Sequence, residues 1–145
     1  KHSKNKMNIK TYLGFDVGTK RTGIAIANSL TRTANGIDIV KNNKDGSTNF
    51  QGFDDIINAH NVDLFVVGLP LDENNKDQEM TFIAKSFGRK LTNRYNIETV
   101  FIDEYLSSSD AKKQLKYNHC HPNAKRGEVD KLSAQLILQT WLEEQ

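Results

Sequence analysis

The apolar pattern of the chain changes period once, and that change limits the fold more than any single residue does. Up to Val40 the apolar residues come in runs of strand length; beyond Ser47 such runs alternate with stripes at helical spacing. Thr11 to Val17 (TYLGFDV) is mostly apolar and aromatic, as a buried strand is, and ends on Asp16-Val17-Gly18. A turn through Thr19, Lys20 and Arg21 leads to Gly23 to Ala27 (GIAIA), which predicts a hairpin, and Ile37 to Val40 predicts a third strand. Ser47 is the expected cap of a helix carrying Phe50, Phe53, Ile56, Ile57 and His60. Asp63 to Val67 reads as a buried strand stopped by Gly68-Leu69-Pro70. The clearest helix is Lys76 to Tyr95, whose Met80, Ile83, Ala84, Phe87, Leu91 and Tyr95 form one apolar stripe. Glu98 to Ile102 is the next strand and runs directly into Asp103-Glu104. Ser107 opens a short helix with a capping box to Asp110, and Gly127 to Glu144 forms a last helix carrying Val129, Leu132, Leu136 and Trp141.

The order is therefore β-β-β-α-β-α-β-α-α. Right-handed crossovers in the second half place helices on both faces of a mixed sheet, hairpin strands on one side and parallel strands on the other: an α/β, three-layer α/β/α arrangement. At 145 residues the chain fits one domain, expected over residues 9–145, with the polar and basic residues 1–8 as a flexible arm. One cysteine, Cys120, excludes an internal disulfide framework. No apolar run approaches the roughly 20 residues of a membrane span, and no leader is seen, so a soluble, cytoplasmic protein is expected.

Twenty Lys and Arg against 18 Asp and Glu give a net charge of +2, which neither demands nor excludes nucleic acid. The distribution says more. Residues 112–126 hold four Lys, one Arg and two His with no acid, a segment suited to phosphate contact.

Three acids carry the chemistry. Asp16 lies near the end of an apolar strand, on the face of Gly14, where an ionised carboxylate is costly unless it is paired or holds a cation. By itself it is also an ordinary residue for leaving a strand. Asp103-Glu104 follows a second apolar strand at its carboxyl end, where open α/β sheets keep their sites; a solvated loop is the bland alternative. Asp130, placed in the first turn of the last helix, shares a face with Ala134, Ile137 and Trp141, although an acid there also suits the helix dipole. Three converging carboxylates repel, and hard divalent ions with oxygen ligands relieve that repulsion. Such a cluster is a platform for phosphodiester cleavage in which one ion activates water and another steadies the leaving oxygen.

Other arrangements fall short. His119-Cys120-His121 lacks the further ligands of a zinc site and reads as a polar loop, and Cys120 has no base partner. Gly14, Gly18 and Gly23 do not make a dinucleotide fingerprint, and there is no Walker lysine. An actin-like phosphate loop would need two such domains.

Four blocks resemble the YqgF family, also called RuvX or Holliday-junction-resolvase-like. They are Leu13 to Ala25 (LGFDVGTKRTGIA), Val66 to Pro70 (VVGLP), Asp103 to Ser108 (DEYLSS) and Val129 to Ala134 (VDKLSA), with Leu136 to Leu142 extending the match over nearly all of 11–143. The resemblance implies an RNase H-like fold and a metal-dependent nuclease that processes the 5′ end of the precursor of 16S ribosomal RNA. It puts the catalytic and metal-holding acids on Asp16, Glu104 and Asp130, with two Mg²⁺ or Mn²⁺ ions. It puts substrate contacts on Lys20, Arg21, Ser107, Lys125 and Arg126. Tyr105 stands where the family usually has Arg, which removes a bidentate phosphate donor, and Ser107 and Ser108 stand where it usually has Thr. The expected partners are nucleic acid, RNA before DNA, and a ribosomal precursor particle, with no membrane, the protein being a monomer or weak dimer. Resolution of branched DNA by the same acids, and a binding adaptor without chemistry, are the alternative functions.

Overall fold

Alternation of apolar residues builds the sheet, and two helical stripes on one face and one on the other close it. The computed structural model describes residues 8–70, 78–103 and 126–145. Its strands are β1 (Thr11–Val17), β2 (Arg21–Asn28), β3 (Asn35–Lys41), β4 (Leu64–Leu69) and β5 (Glu98–Asp103), and its helices α1 (Phe50–His60), α2 (Gln78–Tyr95) and α3 (Arg126–Glu143). The short helix expected from Ser107, the basic segment 112–125, His119-Cys120-His121 and all of the arm except Asn8 lie outside the described residues.

The sheet runs β3-β2-β1-β4-β5. β1–β2 and β2–β3 are antiparallel, while β1–β4 and β4–β5 are parallel, so the hairpin and the crossovers meet at β1. Because side chains alternate across a strand, β1 feeds two cores. Leu13, Phe15 and Val17 join Phe65 and Val67 of β4 beneath α1 and α2, which contribute Phe53, Ile57, Ala84, Phe87 and Leu91. Phe15 is the hub of that core, edge-on to Phe53, Phe65 and Phe87. The opposite face carries Ala25, Ala27, Val66 and Ile102 under α3, which supplies Ala134, Ile137, Leu138 and Leu142.

Two details differ from the sequence expectation. The first helix is capped by Asn49, whose side chain accepts from the Gly52 amide at 3.2 Å, while Ser47 donates to Asp45 in the loop before it. In α3 the buried face is Ala134, Ile137, Leu138 and Leu142, with Trp141 packed beside them; Leu132 and Leu136 lie only half-buried. The face that carries Asp130 is thus the one turned onto the sheet.

The C-terminal end of α2 is clamped to the middle of α1. Arg94 donates to both carboxylate oxygens of Asp54 at 2.9 and 2.7 Å, and Tyr95 Oη donates to Oδ1 at 2.5 Å. The Arg94 and Tyr95 hydrogen bonds hold the Asp54 carboxyl down at about 2. No helix among the described residues is long and apolar enough to cross a membrane.

Candidate active site

Asp16 is the sixth residue of β1, and its cross-strand partner on β2 is Gly23. That pairing matters because of what lies on Gly23. A Cβ there would overlap the carbonyl oxygen of Asp130, so α3 seats its Asp130 backbone directly on the neighbour of Asp16. The same helix touches the sheet at two more glycines. A Cβ on Gly36 of β3 would lie 2.6 Å from the Lys131 carbonyl oxygen, and one on Gly14 of β1 would lie 2.7 Å from Leu138 Cβ. Three adjacent strands therefore present bare backbone to α3, and the helix settles closer than any side chain would allow.

Hydrogen bonds hold the rotation of α3 as well as its height. The amides of Ala34 and Gly36 donate to the side-chain oxygens of Gln139 and Gln135 at 2.9 and 3.0 Å, and Arg32 Nη2 donates to the Leu142 carbonyl at 2.6 Å. These residues position the acid without touching it. Their signal was present in the sequence as glutamines four apart on a face next to that of Asp130, but a polar pair on a helix is usually a solvated face.

The turn between β1 and β2 supplies the cations. Gly18 N donates to the Arg21 carbonyl at 3.0 Å, and Asn42 ties the turn to the end of β3, its side chain donating to Thr19 O at 2.8 Å and its amide to Lys20 O at 2.9 Å. Arg21 leaves this braced turn to donate from Nε to Asp130 Oδ2 at 2.5 Å, both side chains about a quarter exposed (25% and 27%). Gly18, Thr19, Lys20, Arg21 and Asp130 line one open depression of about 290 Å³. Asp130 stands one residue past the first turn of α3, whose own acid is Glu128, so the dipole of the helix is a weak account of its presence.

Of the residues expected at the site, the structure gathers Asp130, Lys20 and Arg21 at this depression, with Asp16 on the strand pair beneath Asp130. Asp103 closes β5 in register with Leu69. Glu104, Ser107 and Lys125 lie outside the described residues, and Arg126 opens α3. Among the described residues no three His, Cys, Asp or Glu side chains form a metal-holding group. Asp16 and Asp130 each offer carboxylate oxygen, the donor type of a hard cation, and Asp130 already holds a positive group.

Residues 10–144 match the family model described as RuvX: Holliday junction resolvase. A candidate pre-16S rRNA nuclease of Aeromonas hydrophila subsp. hydrophila is 40% identical over 139 residues, covering 96% of this chain and 99% of that protein. One from Pseudoalteromonas translucida is 41% identical over 134 residues, covering 92% and 89%. In fold the chain is similar to T. thermophilus RuvC, solved in complex with a Holliday junction substrate, at a TM-score of 0.59 and 9% identity, over 93% of this chain and 94% of that one.

Proposed function

The chain belongs to the RuvX Holliday-junction-resolvase family, and from that premise we propose that it is a nuclease acting on phosphodiester bonds in the precursor of 16S ribosomal RNA. Residues 9–145 form its single nuclease domain, and an rRNA precursor as substrate puts its work in the cytoplasm. The observation that carries the reading is the seating of Asp130 on Gly23, the strand partner of Asp16, beside a braced turn bearing Lys20 and Arg21. That arrangement supports a pair of oxygen donors facing a basic edge, which is what a divalent ion and a phosphate diester together require.

Asp16, Glu104 and Asp130 would hold Mg²⁺ or Mn²⁺. The chemistry such ions supply is activation of water and stabilisation of the leaving oxygen. The chain's own part is to fix the donors and to place the phosphate. Asp16 is held by a central strand and Asp130 by a helix locked on three glycines, which fixes the backbone from which each carboxylate reaches. Lys20 and Arg21 would receive the scissile phosphate, and Ser107, Lys125 and Arg126 its neighbours. Arg21 neutralises Asp130 until then.

Cleavage of end-labelled precursor 16S RNA and of a four-way DNA junction, each with Mn²⁺, Mg²⁺ or EDTA, tests the assignment. Metal-dependent cutting of the RNA with the junction left intact is the expected result. Cutting of the junction alone would replace the substrate. Binding without cutting under every condition would make the protein an adaptor.

A further inference from the structure

The braced β1–β2 turn has a second side. There, between the turn, the loop after β3 and α2, lies a cleft of about 330 Å³ lined by Thr19, Asn42, Ser47, Ser86 and Lys90 and by apolar side chains that include Phe82 and Phe87. No carboxylate is among its described lining residues; hydroxyls, one amide and one ammonium are. Its walls are preformed. Asn42 fastens the turn through the bonds given above, and the loop is closed by Asn43 N donating to Ser47 O and Gly46 N to Asn43 O, both at 2.9 Å. Phe82 stands at this cleft 66% exposed, although Ala84, Phe87 and Leu91 of the same helix are buried. A single exposed aromatic is ordinary; one beside a preformed cleft that combines apolar walls with hydroxyls, an amide and a cation is a stacking platform in the right place.

Gly18 and Thr19 line both this cleft and the depression that holds Asp130. A chain crossing the turn from one would enter the other. We propose that the cleft binds one nucleotide of single-stranded RNA flanking the scissile phosphate, its base stacked on Phe82 and its phosphate on Lys90. The volume lies at the small end of the roughly 300–1,000 Å³ of ligand sites, room for one nucleotide. An unpaired nucleotide is required, because only an unstacked base offers a face to an aromatic side chain. The hydroxyls and Asn42 give a 2′-OH partners that can both donate and accept.

The inference rests on the nuclease reading, and the test separates the two. Binding of a fluorescent single-stranded oligoribonucleotide is followed by anisotropy in EDTA, and a photoactivatable uridine placed next to the cleavage position is cross-linked to the full chain. Phe82→Ala is expected to weaken binding about 5- to 30-fold, as loss of a stacked base does, with Phe82→Tyr near wild type. The cross-link should fall on or beside Phe82. In steady state with Mg²⁺, Phe82→Ala should raise KM and leave kcat alone. If wild type cuts RNA while Phe82→Ala binds and cross-links as wild type does, the subsite is wrong and the nuclease stands. Equal affinity for a single-stranded DNA oligonucleotide of the same sequence would overturn the choice of RNA. A Phe82→Ala effect on sedimentation rather than on RNA affinity would make this face a contact between copies of the chain and overturn the subsite.

Discussion

Arg21 and Asp130 share a charge-assisted hydrogen bond that a metal ion at Asp130 would have to displace. The pair is partly buried, which puts it at the upper end of the surface range, about 1 kcal/mol, or roughly a fivefold change in an equilibrium constant. Arg21→Gln is therefore expected to bind Mn²⁺ about fivefold more tightly than wild type while binding RNA more weakly, read by Mn²⁺ paramagnetic resonance and by anisotropy. An unchanged Mn²⁺ affinity would mean that the arginine does not compete for that carboxylate. Gly23 is the other residue on which the site turns. Gly23→Ala drives a methyl into the backbone of α3, so a loss of about 1–3 kcal/mol in denaturant unfolding is expected, the usual scale of overpacking. A fully stable Gly23→Ala would show that the helix can lift off the sheet without cost.

At the level of strands and helices, Asp16 and Asp130 draw attention in the sequence because each breaks an apolar pattern. Asp16 interrupts a strand and Asp130 interrupts a helix face, and buried charge in such places needs a reason. What was not legible was the close approach of α3. Gly14, Gly23 and Gly36 read as isolated strand glycines, and only the register that lines them up under one helix gives them a common purpose. The helix cap was misread for a related reason. Ser47 and Asn49 can both cap, and the choice fell to Asn49 because Ser47 is held by Asp45. The clamp of α1 to α2 was equally hidden, since Asp54 and Arg94 lie 40 residues apart. It carries its own prediction. The Asp54 carboxyl is held at about 2 against its ordinary 3.8, mainly by the hydrogen bond from Arg94 and then by that from Tyr95. A depressed folded value gives stability that is present above 3.8 and lost as the pH falls through about 2. The Tm of wild type should exceed that of Asp54→Asn by a constant amount near neutrality, and the gap should close across that acid window. A gap that persists below it would assign the clamp to packing.

Across the whole molecule, the hairpin and the crossovers share β1, which is why one strand can feed two cores and carry Asp16 at its end. Element order and strand polarity were readable from the change of period, because short buried strands and amphipathic helices leave different spacings. The outer bounds moved by a residue or two, as at β2, where pairing with β1 runs on to Arg21 and Asn28. Substrate chemistry follows from the same plan. The turn that closes the hairpin stands between the depression at Asp130 and the cleft beside α2, which is the path proposed above for one RNA strand.

The central claim is that Asp16 and Asp130 form one metal-dependent catalytic centre. Single-turnover cleavage of precursor 16S RNA by wild type, Asp16→Asn and Asp130→Asn at saturating Mg²⁺ tests it most directly. Each variant should lose at least about a thousandfold in rate, a loss of roughly 4 kcal/mol of transition-state stabilisation, and both should still bind the RNA. Cleavage by either variant within tenfold of wild type would mean that these two carboxylates do not form the catalytic centre.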